Sequence, residues 1–154
     1  MRTADALWEQ ACALYARPGA REELLGLQER CGADVPILLW AAALAVNGEK
    51  LDMPIAREAR AKAEPIAECV RAVRAMRRKL ADLAPARAAE PARAALLNGE
   101  LALERLQIAA LAAYLGRPQS AGAMLENLQT ALAACGCFAS PESVESLAQL
   151  LGKD

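Results

Sequence analysis

One uncharged run constrains the fold of this chain more than any other feature. From Val35 to Val46 the sequence VPILLWAAALAV has no charged side chain, and Asp34 precedes it while Asn47-Gly48 follows. At helical rise the run is about 18 Å long, which is too short to cross a bilayer and fits a buried helix. Its bulky side chains project onto two opposed faces with alanines between them, so we expect a helix packed on several sides.

The composition favours helices around that run. The 154-residue chain is 55% hydrophobic but only 3% aromatic, so its core must be built mainly from Leu and Ala. Such a core favours closely packed helices over strands. We therefore expect an all-α fold, a compact bundle of about six to seven helices in a single domain over residues 1–154, with the Val35 to Val46 helix buried at its centre.

Proline, glycine and capping side chains predict where the first helices begin and end. Arg17-Pro18-Gly19 separates a helix at Ala4–Ala16 from one at Ala20–Cys31. Asp34 and Asp52 each stand two residues before a proline, which is the spacing of a helix N-cap followed by proline in the first turn. These two aspartates are therefore predicted helix caps.

The second half of the chain reads as two long helices followed by two short ones. The first long helix should be kinked or broken at Pro65 and end near Leu83, and the second should run from Pro91 to Leu115. The stretch from Ala84 to Pro91 reads as a short linker. We expect Ser120 to cap the next helix, and Ser140-Pro141 to start the last.

The net charge and the cysteines indicate which partners and which compartment to expect. The net charge of −1 and pI near 5.6 predict no global attraction to nucleic acid or to an anionic membrane. There is no secretory signal and no apolar segment long enough to span a membrane, so we expect a cytoplasmic protein. Five cysteines without an export signal predict reduced thiols. Cys135 and Cys137 could chelate a soft metal or form a redox pair only if other ligands approached them.

The residue types that most catalytic sites need are missing. The chain has no histidine, which removes Ser/His and Cys/His nucleophile arrangements, and it has no GxGxxG or P-loop pattern. Glu100 and Glu104 are spaced like ligands of a carboxylate-bridged metal pair, but such bundle sites also use Glu-x-x-His motifs. We expect no catalytic residues, no cofactor and no metal site.

Several polar side chains fall within the apolar arcs of predicted helices. Glu100, Glu104 and Gln107 do so in the second long helix, Arg77 in the first, and Gln28 in the Ala20–Cys31 helix. Buried polar groups are costly unless they are paired, so we expect Arg77 to pair with Glu100 or Glu104 across two antiparallel helices. This set is either a buried ion pair at the rim of the core or a polar pocket that binds a small ligand.

A basic segment precedes that set. Between Pro54 and Lys79 there are eight basic and three acidic residues. Arg71, Arg74 and Arg78 fall on one flank of the helix and form a candidate basic interaction face for an acidic partner or for phosphates. No aromatic residue is interleaved to stack on bases, so nucleic acid is the weaker reading.

The N-terminal third carries a pattern that is similar to a known family. Its elements are Leu7-Trp8, Leu14-Tyr15, Pro18-Gly19, Leu27-Gln28, Gly32, Asp34-Val35 and Leu38-Leu39-Trp40. The pattern resembles a family of small, uncharacterised proteobacterial proteins classed as a domain of unknown function. The resemblance implies a bacterial cytoplasmic protein, carries no activity or catalytic residues, and draws attention to Gln28 and Asp34.

These observations leave three functions open. The leading expectation is a non-catalytic interaction or regulatory module that engages another protein or a second copy of itself. The alternative is a helical bundle that binds a small ligand in a polar pocket at Arg77, Glu100 and Glu104. The third is phosphate-backbone binding through the arginine flank. An apolar surface patch would favour the first, and a cavity that touches Arg77 and Glu104 would favour the second.

Overall fold

A computed structural model describes residues 2–119 and 122–153. Within them the element order is α1 (Ala4–Tyr15), α2 (Ala20–Cys31), α3 (Val35–Val46), β1 (Glu49–Lys50), α4 (Met53–Leu83), α5 (Ala86–Leu111), β2 (Arg117–Pro118), α6 (Met124–Ala134) and α7 (Pro141–Leu151). The expected all-α bundle is confirmed. A two-stranded sheet accompanies it, and the sequence did not predict that sheet.

Helix α3 lies at the centre of the bundle. All of its residues from Val35 to Leu44 are buried, and it packs against α1, α5 and α6. Ala41, Ala42 and Ala43 have no exposed surface, which allows neighbouring helices to approach closely. No described helix is both long enough and apolar enough to cross a membrane.

The starts of α3 and α4 have the same local chemistry. The Asp34 carboxylate accepts a hydrogen bond from the Ile37 N–H at 3.2 Å, and the Asp52 carboxylate accepts one from the Ile55 N–H at 3.2 Å. Each satisfies a backbone donor that has no partner inside its helix. Helix α6 begins at Met124, and Ser120, the predicted cap of that helix, lies outside the described residues.

Two prolines do not interrupt the long helices as predicted. Helix α4 is continuous through Pro65, and α5 already begins at Ala86, so that Pro91 lies inside it and the predicted linker is mostly helix. Both prolines are exposed. Water can therefore hydrogen bond to the carbonyl that each proline leaves without a donor, and the alanine-rich sequence around Pro91 favours helix.

The predicted end of α5 was also wrong, because a tertiary contact decides it. The helix stops at Leu111 instead of Leu115, and the chain turns to pair β2 with β1 in an antiparallel register. The Gly116 N–H donates to the Glu49 carboxylate at 2.7 Å. A Cβ at Gly116 would lie 2.7 Å from the Lys50 carbonyl oxygen, so only glycine fits this approach.

A buried amide joins the central helix to the sheet. Asn127 on α6 has no exposed surface. Its Oδ1 accepts from the Leu51 N–H at 2.8 Å, and its Nδ2 donates to the carbonyls of Ala41 and Glu49 at 3.1 and 2.9 Å. One side chain therefore joins α3 and the segment from Glu49 to Leu51 to helix α6, which fixes how these three parts meet.

Candidate functional site

An open groove lies between the α1–α2 pair and the α4–α5 pair, with α3 as its floor. We call it the main groove, and its volume is about 610 Å³. Its apolar lining, which we call the apolar wall, comes from four helices and includes Trp8, Tyr15, Leu25, Leu39, Leu97 and Leu101. Leu101 is 46% exposed, so part of this wall faces solvent without a covering side chain. Apolar surface of this kind gains free energy when a ligand removes it from water.

The charged lining of the main groove, which we call the charged wall, is a network of arginines and glutamates where α4 meets α5. Arg74 Nε donates to Glu100 at 2.7 Å, and Arg77 Nε donates to the other oxygen of the same carboxylate at 2.8 Å. Arg74 also contacts Glu104 through an Nη atom at 3.1 Å. In the described structure Arg77 pairs with Glu100 and not with Glu104. Charged hydrogen bonds of this length hold both carboxylates in fixed positions.

The two glutamates of this network differ in their titration. Burial alone would raise the pKa of Glu100, but the hydrogen bonds from Arg77 and Arg74 outweigh it and hold that pKa below its usual value. Burial raises the pKa of Glu104, and the single contact with Arg74 does not offset it. Glu100 is therefore the firmly ionised member of the pair, since two arginines favour its charged form.

A second cavity, which we call the polar pocket, adjoins the first near the turn between α2 and α3. Its volume is about 370 Å³, and its polar lining consists of Gln28, Glu29, Asp34, Arg71, Arg74, Arg78 and Gln107. Gln107 is almost fully buried and donates from Nε2 to both oxygens of Asp34, at 2.9 and 2.8 Å. The predicted polar set is thus divided, because Gln107 contacts the cap of α3 and not the arginine network.

Asp34 consequently has two functions in the fold, as a helix cap and as the acceptor for Gln107. Burial raises its pKa, and the hydrogen bonds from Gln107 and Ile37 only partly counter that effect. No arginine of the described residues forms an ion pair with it. Burial disfavours the charged form of a carboxylate, and hydrogen bonds from neutral donors do not fully compensate for the lost hydration.

One exposed ion pair stands where the two cavities meet. Arg78 on α4 contacts the carboxylate of Glu29 on α2, and the two side chains are 53% and 59% exposed. Both residues line both cavities. Because exposed pairs contribute only ~0.2–1 kcal/mol, this contact is easily exchanged for another.

The structure separates the three arginines of the predicted basic face. Arg74 does not lie on a solvated flank: its side chain is only 15% exposed and belongs to the network with Glu100 and Glu104. Arg71 pairs with Glu64 of its own helix, and Arg78 with Glu29. The sequence pattern overestimated the free positive charge because it could not show that α2 and α5 bring carboxylates to this side of α4.

The remaining candidates have simpler surroundings. Gln28 is half-buried and lines both cavities, and its side chain forms no hydrogen bond within the described residues. Burial raises the pKa of Cys135 to about 12 and that of Cys137 to about 11, which disfavours their reactive thiolates. Across residues 2–119 and 122–153, no cluster of His, Cys, Asp or Glu could hold a metal ion.

Sequence reasoning missed the apolar half of the site. We predicted Trp8 and Leu97 to lie on buried helix faces and did not single out Leu101, but all three line an open groove. Glu29 was not singled out, since one exposed glutamate on a charged helix carries no signal of its own. The sequence signal for the apolar groove residues of α5 was the hydrophobic arc of that helix, which continues along the helix beyond the turns that the core covers.

The fold and this site define a class of protein: an all-α bundle with a groove that is lined by both apolar and charged side chains. Residues 6–111 match the family model described as a protein of unknown function (DUF2390), so the chain belongs to that family. No curated protein and no solved structure matches the chain. Every residue that lines the main groove and the polar pocket lies within the matched segment, whereas α6 and α7 lie outside it.

Proposed function

We propose that this protein is a non-catalytic binding module whose main groove holds a small, partly apolar ligand. The observation that carries the proposal is the groove itself, about 610 Å³ in volume, which touches Arg77 and Glu104. Ligand sites in proteins commonly have volumes of ~300–1,000 Å³ and combine apolar walls with a few placed polar groups. The leading expectation from sequence was a protein partner, and the groove moves our preference to a ligand.

The chemistry of the charged wall supports binding without catalysis. Glu100 is engaged by two arginines, and its pKa lies below its usual value. A carboxylate in this state is a poor proton donor near neutral pH. Its role in the proposal is to fix Arg74 and Arg77 so that they orient a ligand.

A reducing compartment fits the cysteines. All five are free, and two of them, Cys12 and Cys69, are exposed. Exposed thiols persist where the cell keeps them reduced, so we place the protein in the bacterial cytoplasm.

A protein partner is the second candidate. The α4–α5 pair exposes large apolar side chains besides Leu101, with Met76 58% exposed and Leu83 70% exposed. Such side chains at the end of a helical pair could extend a contact that begins in the groove. On this reading the groove would hold a segment of another protein or of a second copy.

Two thiols provide a direct test. Cys12 lines the main groove, whereas Cys69 lies on α4 and lines neither cavity. With 1-decanol and decanoate as probes, we expect bound ligand to slow alkylation of Cys12 by N-ethylmaleimide and to leave Cys69 unchanged. Mass spectrometry of the two peptides measures both rates. Equal rates at Cys12 with and without either probe would contradict the proposal.

A matched pair of variants locates the binding. Leu101→Asp places a charge in the apolar wall, while Leu106→Asp places one on the same helix outside the groove, at a residue that is 53% exposed. We expect Leu101→Asp to abolish protection of Cys12 and Leu106→Asp to preserve it. Equal protection in both variants would place the ligand elsewhere.

A further inference from the structure

We infer that the ligand is an anionic amphipath, with a carboxylate or phosphate head held by Arg78 at the polar pocket and an apolar chain along the main groove. This inference rests on the proposed function and adds the chemical class of the ligand. Three features carry it: the two cavities adjoin, one arginine of their lining is without an ion pair in the described structure, and Glu29 occupies the place that a ligand's anion would take.

The first feature is continuity. Six residues line both cavities: Gln28, Glu29, Val35, Pro36, Arg74 and Arg78. The polar pocket and the main groove are therefore neighbours with a common boundary. One molecule can place a polar end in the first and an apolar end in the second.

The second feature is the charge of the lining. Around the two cavities together there are six arginines, namely Arg21, Arg71, Arg74, Arg77, Arg78 and Arg93. There are four acidic residues, namely Glu29, Asp34, Glu100 and Glu104. Within the described structure Arg21 forms no ion pair, and Arg93 pairs only with Glu90 of its own helix. Arg71 likewise pairs with Glu64 of its own helix. Among the six arginines of this lining, Arg21 is therefore the one without an ion pair in the described structure, and its charge favours an anion over a cation at the main groove.

The third feature is the pair between Arg78 and Glu29. Arg74 and Arg77 are 15% and 25% exposed and hold Glu100, which has no freedom to leave the interface of α4 with α5. Arg78 and Glu29 are more than half exposed and stand at the boundary of the cavities. A ligand carboxylate can replace Glu29 on Arg78 while Glu29 turns into water, so the arginine keeps one partner throughout.

The apolar chain then has a defined direction. From Arg78 the boundary residues Val35 and Pro36 lead into the main groove, where Trp8, Leu97 and Leu101 provide the apolar wall. Each methylene removed from water adds to the affinity, so a chain of several carbons supplies most of it. Arg78 determines which head group is preferred.

Isothermal titration with decanoate, decyl phosphate, 1-decanol and decylammonium, each below its micelle concentration, tests the inference. We expect the two anions to bind about tenfold more tightly than the alcohol, which corresponds to about 1.4 kcal/mol. We expect the cation to bind more weakly than the alcohol. Preference between the carboxylate and the phosphate identifies the head group.

Two substitutions at the boundary sharpen the test. Glu29→Gln removes the internal competitor and is expected to tighten decanoate binding about two- to fivefold, with 1-decanol unchanged. Arg78→Gln is expected to weaken decanoate binding about tenfold and again to leave 1-decanol unchanged. Both side chains are exposed, so the fold should persist, and circular dichroism verifies that it does. Arg57→Gln, on the same helix and lining neither cavity, is the control and should change nothing.

The outcomes separate the inference from the proposed function. If the alcohol and the anions bind equally, or if Glu29→Gln does not affect decanoate, the groove binds ligand but the anionic head is wrong. If no probe binds to the wild-type protein, both the proposed function and this inference are overturned. If a head-group preference persists in Arg78→Gln, the anion is held by a different arginine.

Discussion

Helix α3 and the α4–α5 pair pack with opposite kinds of side chain, uncharged in the first and partly charged in the second. Ten consecutive residues of α3 are buried, and none of them is charged. Helix α4 is 31 residues long but buries only small residues, the last of them Val70. Beyond Val70 it meets α5 through arginines and glutamates.

This difference explains where a ligand can bind. Around Ala41, Ala42 and Ala43 of α3 the small side chains allow helices to close against each other, whereas Val35, Pro36 and Leu39 nearer the start of α3 form the floor of the main groove. Helix α4 has no buried residue beyond Val70, so the α4–α5 pair extends past the part of the molecule that covers α3. The groove therefore exists where the core ends. The following predictions test this comparison, from the largest expected effect to the smallest.

Asn127→Leu tests whether the surroundings of α3 tolerate the loss of a polar contact. The substitution leaves the buried Leu51 N–H without its Asn127 acceptor and removes the amide donor to the carbonyls of Ala41 and Glu49. We expect a loss of roughly 3–5 kcal/mol in the free energy of unfolding by urea. Asn98→Leu, at an exposed position of α5, should change stability by less than ~0.5 kcal/mol. Similar losses in both variants would show that the buried amide is not a special contact.

The double variant Arg74→Met, Arg77→Met tests the charged interface. It leaves Glu100, which is 4% exposed, without a cationic partner, and we expect a loss of about 3 kcal/mol at neutral pH. The control replaces Arg57 and Lys62, two exposed cations of the same helix, and should cost far less. A loss no larger than in the control would mean that the pair is held together by its apolar contacts alone.

The same double variant has a defined pH dependence. In the wild type the pKa of Glu100 is lowered from 4.5, so its stabilising contribution is present above that value and is lost as the pH falls through the folded-state pKa. Without the arginines, burial raises this pKa, and the protonated form becomes the favoured one. We therefore expect the deficit to be smaller in urea titrations at acidic pH than at neutral pH. A deficit independent of pH would contradict the assignment to Glu100.

Arg77→Leu alone should cost about 1 kcal/mol, because Arg74 still holds Glu100. The measurement is the same urea titration. A loss near 3 kcal/mol would mean that Arg77, and not Arg74, carries most of the pairing. A change within ~0.5 kcal/mol would mean that Arg77 is no more than a surface residue.

Asp34→Asn should have the smallest effect, below about 1 kcal/mol, because asparagine also caps helices well. The pKa of Asp34 is raised from 3.8, so its contribution to stability is present at acidic pH and is lost as the pH rises through the folded-state pKa. The variant should therefore gain stability relative to wild type between acidic and neutral pH. Thermal unfolding at the two pH values measures it, and a relative loss would contradict the sign.

The parts of the fold that were predictable are those with local causes. Helices α2 and α3 have the expected bounds, since glycine, proline and a capping aspartate act on their immediate neighbours. The start of α5 was mispredicted because Pro91 faces water, and only the tertiary structure shows which face that is. The short sheet gave no sequence signal, since two residues per strand are too few for a periodic pattern.

The candidate site was predictable only in its polar half. A charge inside an apolar arc is visible in sequence, and Arg77, Glu100 and Glu104 were found in that way. We predicted Arg74 to lie on a solvated flank. That prediction was wrong because the helical pattern of α4 shows which residues share a face but not which neighbouring helix covers that face. Glu29 and Arg78 meet across two helices that are far apart in the chain, so no local pattern could join them.

The sequence by itself determined that this chain is helical, that the Val35 to Val46 run is its centre, and that histidine is missing. Those conclusions follow from composition, helical periodicity and capping, which act over a few residues. The tertiary structure decided that the long α4–α5 pair extends beyond the core and opens a groove beside Trp8 and Leu101. The physical reason is that a groove is the space left between elements, and that space depends on which surfaces the packing fails to cover.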